Sequence, residues 1–220
     1  TLDDVVIKAA ITMSVLVAAA VVTMLFLPIN LIRPVAVVTG LGTFVPVLLV
    51  TLRRRVNPAF VLAYSVIEGV FIGALSLLFE RLFPGIVAQA ALATFVTAGV
   101  TLFAYKFFNI RVTARFRKMV LIGTAAFAAV MLLNFILAMF GADTGLRDIG
   151  PGAGMLSIVA SVVGVSLAVI NLVLDFDYIE QGVAQRASED ESWRAAFGLV
   201  VTMVWLYTEL LRILSYFRQN

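Results

Sequence analysis

The chain has 220 residues, a formal net charge of +3, and 62% hydrophobic against 13% charged residues. Water-soluble domains carry about 45–50% apolar and about 25% charged residues, so a soluble fold is excluded and lipid must be the solvent. The absence of cysteine and histidine excludes disulfides, thiolate catalysis and zinc sites built on sulfur or imidazole, and it leaves any proton sensing to carboxylates.

A bilayer core takes about 20 apolar residues per helix. In chain order the predicted spans are Val5–Leu27, Val35–Leu52, Ala59–Phe79, Ile86–Phe108, Met119–Phe140, Met155–Leu174 and Ala195–Phe217. The first apolar run is too long for a signal peptide and lacks a basic stretch before it, so it is read as a span. Pro28-Ile-Asn30 and Arg33-Pro34 part the first two spans, and Arg53-Arg54-Arg55 with Asn57-Pro58 parts the next two. The second span contains Gly40, Gly42 and Pro46, which predict a kinked helix. Phe83-Pro84-Gly85 is a tight turn, and Gly150-Pro-Gly-Ala-Gly154 is a glycine-rich loop before the sixth span. The linkers are short, so neighbouring helices are expected to be antiparallel. The fold class is thus all-α and polytopic, a single transmembrane domain.

Loops assigned alternately to two sides divide the basic residues unequally. Lys8, Arg53, Arg54, Arg55, Lys106, Arg111, Arg115, Arg117, Lys118, Arg186 and Arg194 fall on the N-terminal side, eleven in all, against Arg33, Arg81, Arg147, Arg212 and Arg218, five, on the other. The positive-inside rule then places the N-terminus in the cytoplasm and the C-terminus outside. The basic loops are expected to touch anionic lipid head groups. Nucleic-acid binding has no folded soluble module to carry it.

Several membrane activities lack their residues. There is no P-loop pattern for ATP-driven transport. The last lysine is Lys118, too early for a retinal Schiff base, and a rhomboid-type protease needs a histidine. No nucleophile–base pair points to an enzyme, and the Gly-x-Gly-Asp signature of aspartyl intramembrane proteases is absent. No internal repeat argues for an inverted-repeat transporter. Gly69-x-x-x-Gly73 reads as ordinary close helix packing.

The informative residues are charges within the apolar runs, each costing roughly 2.5–3.5 kcal/mol at a helix centre on insertion scales. Glu68 sits near the middle of the third span with no Lys or Arg within a turn. It is either protonated, or faces a partner on another helix, or lines a wet cavity, and its role is either structural or functional. Glu209 lies well inside the seventh span, with Arg212 at i+3 on the same face. That pair either neutralises itself or sets the charge of a pore carboxylate. Asp175 and Asp177 close the sixth span, with Glu180 beyond. Acids there mark a membrane exit, yet Asp175 points into the bundle if the helix continues. Two carboxylates held close titrate as a unit, and when ionised they offer hard oxygens suited to calcium. Asp175 and Glu209 can meet only if the seventh helix begins near Ser188–Glu191 or the sixth sits deep.

These residues carry a resemblance. Ser65-Val-Ile-Glu68-Gly69-Val-Phe-Ile-Gly73, the basic loop Arg111–Lys118, Leu174-Asp175-Phe-Asp177-Tyr-Ile and Leu206-Tyr207-Thr208-Glu209 together resemble the Bax-inhibitor motif family, also called the TMBIM or YccA-type family. The phrase Val-Leu-Asp-Phe-Asp-Tyr-Ile-Glu is most similar to its actinobacterial branch, which implies a bacterial cytoplasmic membrane. The resemblance covers nearly the whole chain. It implies six helices around a central seventh and a pH-sensitive calcium leak, with calcium as permeant ion and no tightly bound cofactor. It also implies a two-carboxylate proton sensor, here Asp175 and Glu209, which would close when the two share a proton. Arg212 beside Glu209 departs from that pattern. So does the lack of an acid between Arg33 and Arg53: either the latch with Arg53 is missing, or Glu68 on the next helix replaces it. The expectation is therefore a calcium leak gated by Asp175 and Glu209, supported by Glu68, Arg53, Asp177 and Arg212. A membrane scaffold and a proton-coupled transporter of a small solute or cation are the alternatives. The oligomeric state is left open, with a monomer allowed.

Overall fold

A computed structural model describes residues 1–218. Among these, seven helical stretches are long and apolar enough to cross a membrane. The helices are α1 (Leu2–Phe26), α2 (Ile32–Gly42), α3 (Phe44–Leu52), α4 (Pro58–Leu82), α5 (Ile86–Phe107), α6 (Ala114–Met139), α7 (Met155–Ala184) and α8 (Glu189–Tyr216). A 3-10 turn at Ile29–Leu31 leads into α2, and α2 with α3 makes up the second span. The protein is a polytopic all-α membrane protein.

Local chemistry sets the boundaries. The Thr1 side chain accepts from the Asp4 N–H at 3.2 Å, and the Asp4 carboxylate returns a bond to Thr1, closing a capping box on α1. Asn57 caps α4 through the Ala59 N–H, with Pro58 in the first turn. Gly85, at φ +85°, takes the left-handed turn between α4 and α5. The kink predicted in the second span is a break at Thr43. Pro46 has no N–H to offer the Gly42 carbonyl four residues back, while the Thr43 N–H still reaches the Thr39 carbonyl at 2.9 Å.

Helices α7 and α8 extend beyond the predicted spans. The sixth span was placed at Met155–Leu174, but α7 runs to Ala184. The seventh was placed from Ala195, but α8 begins at Glu189. Hydropathy marks only the part of a helix that sits in hydrocarbon, and the polar flanking turns remain good helix formers. The helix α8, expected at the centre, is 44% buried over its apolar window, as is α4; α6 is only 6% buried. The bare faces of α5 and α6 carry Leu92, Phe95, Leu121, Ile122 and Leu133, as lipid contact requires.

The chain packs as two compact units, residues 1–84 with 178–204, and residues 85–177 with 205 onward. In the first, α4 lies directly on α1. A Cβ on Gly69 would sit 2.5 Å from the Leu16 carbonyl oxygen, and one on Gly73 2.6 Å from that of Ala20. Tyr64 of α4 meets Phe197 of α8 edge-on at 5.0 Å. Lys8, buried on α1, reaches the Glu189 carboxylate at 3.2 Å and lies over the Trp193 ring. Arg194 of α8 donates to the carbonyls of Val50 and Arg53, both at 2.8 Å, and so caps the C-terminus of α3. In the second unit, Asn171 of α7 donates to Thr124 of α6 at 2.9 Å, and Phe127 of α6 packs on Trp205 of α8.

The α1–α4 contact leaves no room for side-chain volume. Gly69→Leu or Gly73→Leu should lower the thermal midpoint of the detergent-solubilised protein by several degrees, while Gly99→Leu, whose added Cβ meets nothing within 4 Å, should leave it nearly unchanged. Trp fluorescence during a thermal ramp reads the difference.

Candidate functional site

The buried charge of the second unit gathers where the α6–α7 loop meets α8. Glu209 is 1% exposed and lies twenty residues into α8, seven before its end. Its partner is Arg147 from the loop, not Arg212 or Asp175. The Arg147 guanidinium donates to Oε1 at 2.8 Å and to Oε2 at 3.1 Å, a bidentate pair. Arg212 instead donates to the Arg147 carbonyl oxygen at 2.6 Å, fixing the loop backbone that presents the guanidinium. Gly164 of α7 makes the space: a Cβ there would fall 2.6 Å from the Glu209 carboxyl carbon.

Polar contacts around the pair pin the same loop. The Gly150 N–H donates to Ser215 Oγ at 3.0 Å. Ser157 donates to the Asp148 carbonyl at 2.7 Å, and the Tyr216 hydroxyl meets both Ser157 and Ser161. The glycine-rich loop Gly150–Gly154 thus folds back on the last turns of α8. Beside Arg147 opens a cleft of about 280 Å³, lined by Asn134, Asp143, Thr144 and Asp148.

The other predicted residues lie elsewhere. Asp175 is half-buried on α7, eleven residues past Gly164, about 16 Å at 1.5 Å per residue. The structure therefore does not bring Asp175 and Glu209 together. Helix α8 does begin at Glu189, yet Glu209 lies against Gly164 and not against Asp175. Asp177 is buried and forms an ion pair with Arg117, in the first turn of α6. In the first unit, Glu68 is 8% exposed. Arg53 lies over the Phe60 ring at 4.9 Å, eight residues or about 12 Å along α4 from Glu68, so these two form no latch. Among the described residues, no three acidic side chains gather as a metal cluster.

Sequence reasoning overlooked Arg147. A signal was present, since it is the sole Lys or Arg between Lys118 and Arg186, and a buried Glu209 needs a cation. Loop residues are hard to assign to a helix partner from spacing alone, because their reach is not periodic.

Breaking one half of a buried ion pair costs about 3–5 kcal/mol, because the other charge is left uncompensated. Gly164→Ala should act on the same pair by displacing a carboxylate that Arg147 holds, at a cost of about 1–3 kcal/mol. The cost should shrink in an Arg147→Gln background, where the carboxylate is free to move. A double-mutant cycle of thermal or denaturant stability measures that coupling.

No match appears among curated proteins. Residues 1–219 match the family model described as Bax inhibitor 1 like. With seven membrane-spanning stretches and a match over almost its entire length, the chain belongs to the Bax inhibitor 1 like family.

Proposed function

We propose that the protein is a pH-sensitive leak for calcium in a bacterial cytoplasmic membrane, with the Arg147–Glu209 pair as its gate. One observation carries the reading: a bidentate ion pair, its side chains 16% and 2% exposed, ties a glycine-rich loop to α7 and α8 at one end of a bundle. While the pair is closed, both Glu209 oxygens are engaged by guanidinium and none is offered to a cation. Opening it exposes a carboxylate beside a cleft that already holds Asp143 and Asp148, hard oxygens of the kind calcium takes.

With Arg147 as its partner, Glu209 shares no proton with Asp175, so the ion pair and not a two-carboxylate site is the gate proposed. Asp175 and Asp177 stand apart from this gate; Asp177 with Arg117 braces α7 against α6. Family membership supports an ion-conducting role, and the surplus of basic residues on the N-terminal side supports a cytoplasmic N-terminus with the C-terminus outside.

A second reading follows from the same burial. In a scaffold without transport, the pair would hold the loop down and do nothing else.

Calcium flux into proteoliposomes across a pH series separates them. Glu209→Gln and Arg147→Gln should raise flux at neutral pH severalfold and flatten its pH dependence. Flux no greater than in empty liposomes at every pH, from folded protein, would leave the scaffold. The orientation has its own check: a reporter enzyme active only outside the cell, fused to the C-terminus, should be active, and one fused to the 108–113 loop should be silent.

A further inference from the structure

The turn between α5 and α6 carries charge of one sign only. No Asp or Glu occurs between Glu80 and Asp143, while Lys106, Arg111, Arg115, Arg117 and Lys118 fall within thirteen residues. The protein itself engages two of these cations: Arg117 pairs with Asp177, and Lys106 lies over the Tyr105 ring. Arg111, Arg115 and Lys118 are exposed, and none of the ion pairs among the described residues includes them.

Backbone bonds give the turn a defined shape. Asn109 takes the left-handed conformation at φ 48°. The Asn109 N–H donates to the Lys106 carbonyl at 3.3 Å and the Ile110 N–H to that of Tyr105 at 3.1 Å, a Schellman closure of α5. Four residues after Asn109, Thr113 caps α6 by accepting from the Phe116 N–H at 3.1 Å. Arg115 and Lys118, three apart at the start of α6, share one face of the helix. Arg117 turns the other way, to α7. The partial positive charge at the N-terminus of α6 adds to theirs.

Apolar surface borders these cations. Phe107, Phe108, Ile110, Phe116 and Met119 are all exposed. Phe107 stacks on Phe103 at 5.4 Å and meets Phe108 edge-on at 5.1 Å, so the rings form a fixed group at the end of a membrane-spanning helix. A partner for this surface must offer negative charge and hydrocarbon side by side. A nucleic acid or an acidic protein segment matches the cations and leaves the phenyl rings at the membrane edge without hydrocarbon. The head group and upper acyl region of an anionic phospholipid supply both.

We propose that the α5–α6 turn is a docking surface for anionic phospholipid, whose phosphate is held by Arg111, Arg115 and Lys118 and whose acyl boundary packs on Phe107, Phe108 and Phe116. Helix α6 is the least buried of the seven spans, so lipid secures an end of the helix that protein covers little. The surface is separate from the Arg147–Glu209 pair, and its test does not involve flux.

Native mass spectrometry of the full chain, released from nanodiscs of mixed phosphatidylglycerol and phosphatidylcholine, tests it. The protein should retain phosphatidylglycerol severalfold over phosphatidylcholine. Arg115→Gln with Lys118→Gln should remove most of that preference. Arg54→Gln with Arg55→Gln, which takes away the same charge elsewhere, should keep it. Phe108→Ser should weaken retention with every cation in place, and it carries the test if the first double variant does not fold. Equal retention of the two lipids by the unmodified protein would overturn the proposal. So would a preference untouched by Arg115→Gln with Lys118→Gln, or an equal loss in both double variants, which marks attraction to net charge alone.

Discussion

The hydrocarbon solvent governs this molecule more than any single contact. Without water, a backbone or side-chain polar group must find its partner inside the protein. The structure meets that demand locally. Thr12, Thr23, Thr94, Thr101 and Thr202 each return their hydroxyl to a carbonyl four residues earlier. Buried charges are satisfied by pairings that join different elements. Lys8 with Glu189, Arg117 with Asp177 and Arg147 with Glu209 are all of this kind. Arg194 does the same work on bare carbonyls, where the end of a helix presents partial negative charge.

Within the second unit this produces a simple arrangement along α7. Near Gly164 the helix yields space to the Glu209 carboxylate, and thirteen residues later Asp177 holds Arg117. The two pairs are about 20 Å apart along the axis, each made to a different neighbour. A bond that is strong in low dielectric and weak when hydrated can stabilise one state without fixing the protein permanently in it. The pair at the loop is the better placed of the two to act as a gate, because its cation sits on a loop that ends in glycines.

Much of the architecture was legible in the sequence. The spans followed from apolar runs, the break in the second from Gly40, Gly42 and Pro46, and the close approach at Gly69 and Gly73 from their spacing. Glu68 and Glu209 stood out as charges where charges are costly. Their partners were not legible. Spacing along one helix suggested Arg212 for Glu209, yet the i+3 neighbour bonds to a carbonyl and a loop arginine takes the carboxylate. Helix ends were not legible for a related reason: α7 and α8 extend through polar turns that hydropathy does not count.

The distance between Arg147 and Glu209 in the chain, 62 residues, bears on how the protein is made. The arginine leaves the ribosome first, and its partner arrives only after α7 and most of α8 have been synthesised. Until then a cation intended for burial has no counter-ion and must stay at the membrane surface. A chain cut short before Glu209 would leave that arginine without the carboxylate that neutralises it.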